Sequence, residues 1–268
     1  MVWTTRLAMA GAICLAAQGA GAEAGRPGPE CLPAPYDAAR TDGERRIAEL
    51  VGWLRPALGP YPSLLAALET SAPEICLAAA LFGAEGYLGV EENRIVLRRS
   101  LPRGLMRAVM LHELRHLHQV RVGACPGPDL SMQETARVTL ALEADASAVS
   151  LAVAWGLRED GDALAWQALA SWPTHVDLAE AFEAEMRESG DVARATARAF
   201  AQWYVSDWRR ETYRLAACSD YLDRQDRTHA LPRYGAAAPD YLDSLCRMPD
   251  GGTYPCEEPG DGAAQRPE

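Results

Sequence analysis

Leu111-His112-Glu113-Leu114-Arg115-His116 sets two imidazoles four residues apart, with a carboxylate directly after the first. On an α-helix, positions i and i+4 stand one turn apart on the same face, so His112 and His116 can aim ring nitrogens at one metal ion. Glu113 falls about 100° around the helix from His112, beside such an ion rather than on it. That is where a general base acting on a metal-activated water is required. Imidazole and carboxylate ligands in this pattern suit Zn2+.

The helix that carries these residues has three sides. Val109, Met110, Leu114, Leu117 and Val120 share one arc and form the expected core face. Leu105, Ala108, His112, His116 and Gln119 share a second, the metal side. Arg107, Arg115, His118 and Arg121 share a third, expected to face solvent, and His118 is read as a surface residue because it is turned about 200° from His116.

Zinc needs a further protein ligand, and Leu142-Glu143-Ala144-Asp145-Ala146 offers two carboxylates. Ser131-Met132-Gln133-Glu134 reads as a capping box opening a helix that runs to about Trp155, which makes Glu134 a cap. Within that helix Glu143 shares its face with Ala136, Thr139, Ala146, Ser147 and Ser150, small side chains that permit close approach to the histidine helix. Asp145 projects about 200° away, beside Val138, Leu142 and Val149, so the two cannot both be ligands on a straight helix. Glu143 is favoured. Asp145 is then left to hydrogen-bond within the fold or to orient a histidine from behind.

With these residues in place, the chain resembles zincin metallopeptidases of the gluzincin type, in which H-E-x-x-H on one helix is completed by a glutamate on a later helix. It is similar in particular to an uncharacterised family of proposed bacterial metallopeptidase domains with H-E-L-R-H followed by L-E-A-D-A. The similarity rests on about Gly86 to Ala154 and is specific at His112, Glu113, His116 and Glu143. There are departures. Several gluzincin families place the ligand glutamate four residues before an aspartate, where this chain has Ala141. The metzincin extension is absent, with Gln119 at its glycine and Val122 at its third histidine. The resemblance implies a peptidase with a peptide or protein substrate, Zn2+ held by His112, His116 and Glu143, and Glu113 as base. The oxyanion stabiliser should be a His or Tyr of the C-terminal half: His175, His229, Tyr204 or Tyr213.

Around this centre, Gly86–Val90 and Arg94–Arg98 read as a β-hairpin before the histidine helix. A strand there is expected to lie along the cleft and hydrogen-bond an extended peptide. Ile47, Leu50, Val51 and Leu54 lie at helical spacing, and Pro56, Pro60 and Pro62 break the helical stretch into shorter pieces. Helices are expected over Asp162–Ser171, Val176–Ser189 and Val192–Leu215, with Trp203, Tyr204, Trp208 and Tyr213 packing in the core. The fold class is α+β, mainly helical: a zincin-like domain with a short hairpin or sheet and a helical C-terminal half.

Residues 1–24 read as a signal peptide, with Arg6, an apolar stretch from Leu7 to Ala17, and an A-x-A site near Ala22. The protein is therefore expected to be exported, periplasmic or secreted, with no further membrane-spanning run and no stable membrane insertion. Cys31, Cys76, Cys125, Cys218, Cys246 and Cys256 remain after the leader, enough for up to three disulfides. No C-x-x-C spacing supports a cysteine zinc site. A net charge of −11 excludes electrostatic attraction to nucleic acid or anionic membrane. Residues 25–247 are expected to form one domain, with a proline-rich arm held by Cys31 at its start, followed by a Gly/Pro/acidic tail over 248–268, disordered beyond Cys256. The competing class is an exported zinc-binding or disulfide-stabilised helical protein that binds a partner without catalysis.

Overall fold

A computed structural model of the chain describes residues 28–81 and 83–259. The expected leader and the end of the tail lie outside these residues. Two strands missing from the sequence reading open the fold. β1 (Glu30–Leu32) pairs antiparallel with β2 (Glu74–Ala78), and Cys31 faces Cys76 across the pair and is joined to it by a disulfide. The proline-rich arm is thus a strand fixed covalently to the sheet. The expected hairpin is present as β3 (Gly86–Gly89) and β4 (Arg94–Arg98). β4 also pairs in parallel with β2, giving the order β1-β2-β4-β3. Buried at Ile75, Cys76 and Leu77, β2 shows the continuous apolar run of an inner strand instead of alternation.

α1 (Asp42–Ala57) starts at a reciprocal Thr41/Glu44 capping box and packs against β1 and β2 at one end of the sheet. α2 (Pro62–Ser71) has proline in its first turn, where no helical N–H is missed. α3 (Arg103–Arg121) carries the histidine motif and packs on β3, β4 and α2. α4 (Met132–Glu159) is longer than expected and forms the axis of the molecule. Around it lie α3, α5 (Leu164–Ser171), α7 (Val192–Trp203) and α8 (Asp207–Thr228), while α6 (Val176–Ser189) pairs with α7. α9 (Tyr241–Leu245) closes the C-terminal segment against α4. The molecule is α+β and mainly helical, as its periodicities imply.

Three expectations need correction. α4 contains an 18-residue stretch apolar enough to cross a membrane, so such a run does exist beyond the expected leader. That stretch is 94% buried within the protein, however, as a central core helix must be. Val192–Leu215 is two helices. Ser206 caps α8 by accepting from the Arg209 N–H, and the Arg209 guanidinium donates to the carbonyls of Trp203 and Gln202 that end α7. The break turns α8 along α4. Finally, Ser131 caps α4 by accepting from Glu134 N, but the Glu134 carboxylate turns to Arg137 and the Ala237 N–H instead of closing a box.

Cys246 and Cys256 form a second disulfide, and Cys218 is a free thiol. These disulfides are consistent with an exported protein.

Candidate metal centre

α3 and α4 cross so that the small-residue face of α4 meets the histidine face of α3. His116 Nε2 lies 2.9 Å from His112 Nε2, and the two rings stand edge to face at 88°. Glu143 Oε2 is 3.5 Å from His112 Nε2 and 3.9 Å from His116 Nε2. A point equidistant from these three atoms lies about 2.0 Å from each, the length of a zinc bond to nitrogen or oxygen. The structure therefore brings His112, His116 and Glu143 together. Asp145 points elsewhere and pairs with Arg115.

All of this is inside the protein. His112, Glu113, His116 and Glu143 are each at most 1% exposed. Burial drives the pKa of His112 down to about 3, and burial followed by the neighbouring His112 holds His116 well below the ordinary imidazole value. Both rings are neutral, with lone pairs available. Burial lifts Glu113 to about 8, and burial together with the nearby Glu113 lifts Glu143. Both oxygens of Glu113, both of Glu143 and Nδ1 of His112 have no hydrogen-bond partner. Buried carboxylates without partners are costly. A divalent cation among the three converging atoms would remove that cost at Glu143, so the residues fit a metal ion.

A family model described as "Putative metallopeptidase family (DUF6782)" matches residues 17–256. The chain belongs to this family. Metallopeptidases act through a metal ion, and among the described residues His112, His116 and Glu143 are the metal-compatible cluster not closed by a disulfide. No curated protein and no solved structure matches the chain.

In this family member His116 is held from behind, and the expected role of Asp145 there is exercised through Gln119. His116 Nδ1–H donates to Gln119 Oε1 at 2.7 Å. The Gln119 amide can face only one way, because its Nε2 donates to Leu142 O and to Asp145 Oδ2, neither of which can donate in return. His116 therefore carries its proton on Nδ1 and presents a bare Nε2 to the site. Asp145 accepts from Gln119, from Arg115 Nε and Nη2, and from the Tyr254 hydroxyl. Arg115, expected on the solvent side, is 1% exposed because the C-terminal segment folds over it and supplies the Leu245 and Arg247 carbonyls as acceptors. His118 is half-buried, not a surface residue, and accepts from Arg115 Nη1.

The four candidate oxyanion residues separate. Tyr213, on α8, lies beside Glu143 and Glu113. Burial first, and then the nearby His112, lower the His175 pKa to about 3; the ring stacks on Trp172 and its Nδ1 meets the Thr174 hydroxyl at 3.0 Å. Tyr204 packs on Phe200 and Trp203, with Glu258 and Tyr241 as its charged and polar neighbours, and His229 is the exposed C-cap of α8. Tyr213 is thus both the core aromatic expected of it and a wall of the site.

Proposed function

We propose that the chain is a zinc-dependent peptidase of the gluzincin kind, exported to the periplasm or beyond, that hydrolyses peptide bonds with Glu113 as general base. The observation that carries this reading is the convergence of His112 Nε2, His116 Nε2 and Glu143 Oε2 on one point, with the unpartnered carboxyl of Glu113 one residue from the first ligand. His112, His116 and Glu143 would hold the ion. Zinc in such a site lowers the pKa of a water toward neutrality and polarises a carbonyl. Glu113, buried and without a hydrogen-bond partner, would be drawn into its ionised form by a cation at the neighbouring ligands, and would then take the proton of the attacking water and return it to the leaving amine. Tyr213 and His175 flank the ligands and are the groups in place to donate to the developing oxyanion. β3, at the end of the sheet, offers an edge along which an extended peptide backbone can pair.

Glu113→Gln tests this reading. It should keep zinc and fold and lose hydrolysis of any peptide that the wild type cleaves; undiminished turnover removes Glu113 from the mechanism. The near-complete burial of the ligands favours a second reading, a zinc-holding protein that binds a partner without catalysis. A peptide-library cleavage assay on the zinc-loaded protein separates the two, since only the first predicts cleavage.

A further inference from the structure

The C-terminal segment reaches Asp145, behind the metal centre, directly through one hydroxyl. Cys246 and Cys256, ten residues apart, close a loop whose ends are also held by the Tyr254 N–H donating to Cys246 O and the Met248 N–H donating to Gly252 O. The loop touches the buried polar network at two places. Leu245 O and Arg247 O, on either side of Cys246, accept from Arg115 Nη2 at 3.0 Å each. Tyr254, 3% exposed, donates its hydroxyl to Asp145 Oδ1 at 2.7 Å. From Asp145 the connection runs to Gln119 at 2.6 Å and from Gln119 to His116 Nδ1 at 2.7 Å.

We propose that Tyr254, presented by the Cys246–Cys256 loop, is a positioning residue for the metal centre, acting through Asp145 and Gln119 on the His116 ring. This rests on the metal-site reading above. Asp145 is a buried anion with four donors, two on each oxygen. Removing the Tyr254 hydroxyl leaves Oδ1 with Arg115 alone, so the carboxylate can tilt toward that side. Its hold on the Gln119 amide then loosens, and with it the fixed tautomer and angle of His116. The disulfide matters because a short C-terminal loop without it would fray and withdraw both Tyr254 and the two carbonyls.

The test measures zinc affinity by competition with a chromophoric chelator, on full-length protein first stripped of metal, with the Co2+ absorption spectrum as a second readout. Groups behind a ligand histidine change metal affinity about 10- to 100-fold. Tyr254→Phe, two hydrogen bonds further out than Gln119, should weaken zinc about tenfold, the low end of that range, and shift the Co2+ bands. The Cys246→Ser/Cys256→Ser pair should weaken it at least as much, and provides the reading should Tyr254→Phe not fold. Tyr241→Phe is the control, since it removes a partly buried hydroxyl of the same segment that donates to Ala124 O and not to Asp145. It should bind zinc as the wild type does. Wild-type affinity in Tyr254→Phe, or equal weakening in Tyr254→Phe and Tyr241→Phe, overturns the positioning role while leaving the metal site standing. A wild-type protein that binds no zinc overturns the metal-site reading and this inference together.

Discussion

Asp145→Asn should damage both the fold and the metal centre, for one electrostatic reason. The two oxygens of Asp145 face four donors: Arg115 Nε and Gln119 Nε2 on one, Arg115 Nη2 and the Tyr254 hydroxyl on the other. An asparagine keeps the shape but turns one acceptor into an amide, so one pair of donors must face a donor. It also leaves the buried Arg115 guanidinium without its counter-charge. Breaking a buried ion pair in this way costs about 3–5 kcal/mol, a large part of the roughly 5–15 kcal/mol that a domain has. The comparison is Glu69→Gln, which breaks the exposed Arg55–Glu69 pair and should cost at most about 1 kcal/mol. Urea denaturation of the metal-free proteins measures both. A second signature should accompany the first. In Asp145→Asn the Gln119 amide loses the carboxylate that anchors it and keeps only Leu142 O, so its hold on the His116 ring and Nδ1 proton loosens. Zinc affinity should therefore fall along with stability. Loss of no more than about 1 kcal/mol in Asp145→Asn, like that of the surface pair, would refute the reasoning.

Two further outcomes are expected. His112→Ala and His116→Ala should each lose stoichiometric zinc by elemental analysis, because two protein ligands make a weak site; retention in either would place the metal elsewhere. The metal-free protein should be most stable at about pH 6.5, the ordinary imidazole value. His112, His116, His118 and His175 are held neutral by burial, while Glu113 and Glu143 are held protonated. Below that pH the unfolded chain takes up histidine protons that the fold refuses, so stability falls with falling pH. Above it the fold retains two carboxyl protons that the unfolded chain has released, so stability falls with rising pH until Glu113 ionises near 8. Denaturant melts across this range that show stability rising steadily from about pH 5 to pH 8 would contradict the assignment.

The residues of the metal cluster were legible in the sequence because each lies on a helix whose period fixes direction. His112 and His116 share a face by spacing alone, and the row of Ala136, Thr139, Ala146, Ser147 and Ser150 around Glu143 marks the side of α4 that can approach α3. The surroundings of the cluster were not legible, because they depend on what covers each helix. Arg115 sits on the arc that periodicity assigns to solvent and is buried only because residues 245–247 return over it. Tyr254 and Asp145 are 109 residues apart, and no local pattern links them. The break after Trp203 has a signal in Ser206-Asp207, an N-cap followed by an acidic first turn, hidden within a run of otherwise helical residues. β2 escapes the sequence for a different reason: five residues with a continuous apolar centre have no period to distinguish strand from helix.

Zinc titration of the metal-free wild type beside Glu143→Ala tests the central claim most directly, because it asks whether the carboxylate brought from α4 completes the histidine pair of α3. The wild type should bind one zinc per chain tightly, and Glu143→Ala should bind it far more weakly while its metal-free fold is retained. A wild type that takes up no zinc, or a Glu143→Ala protein that binds with wild-type affinity, would contradict the account.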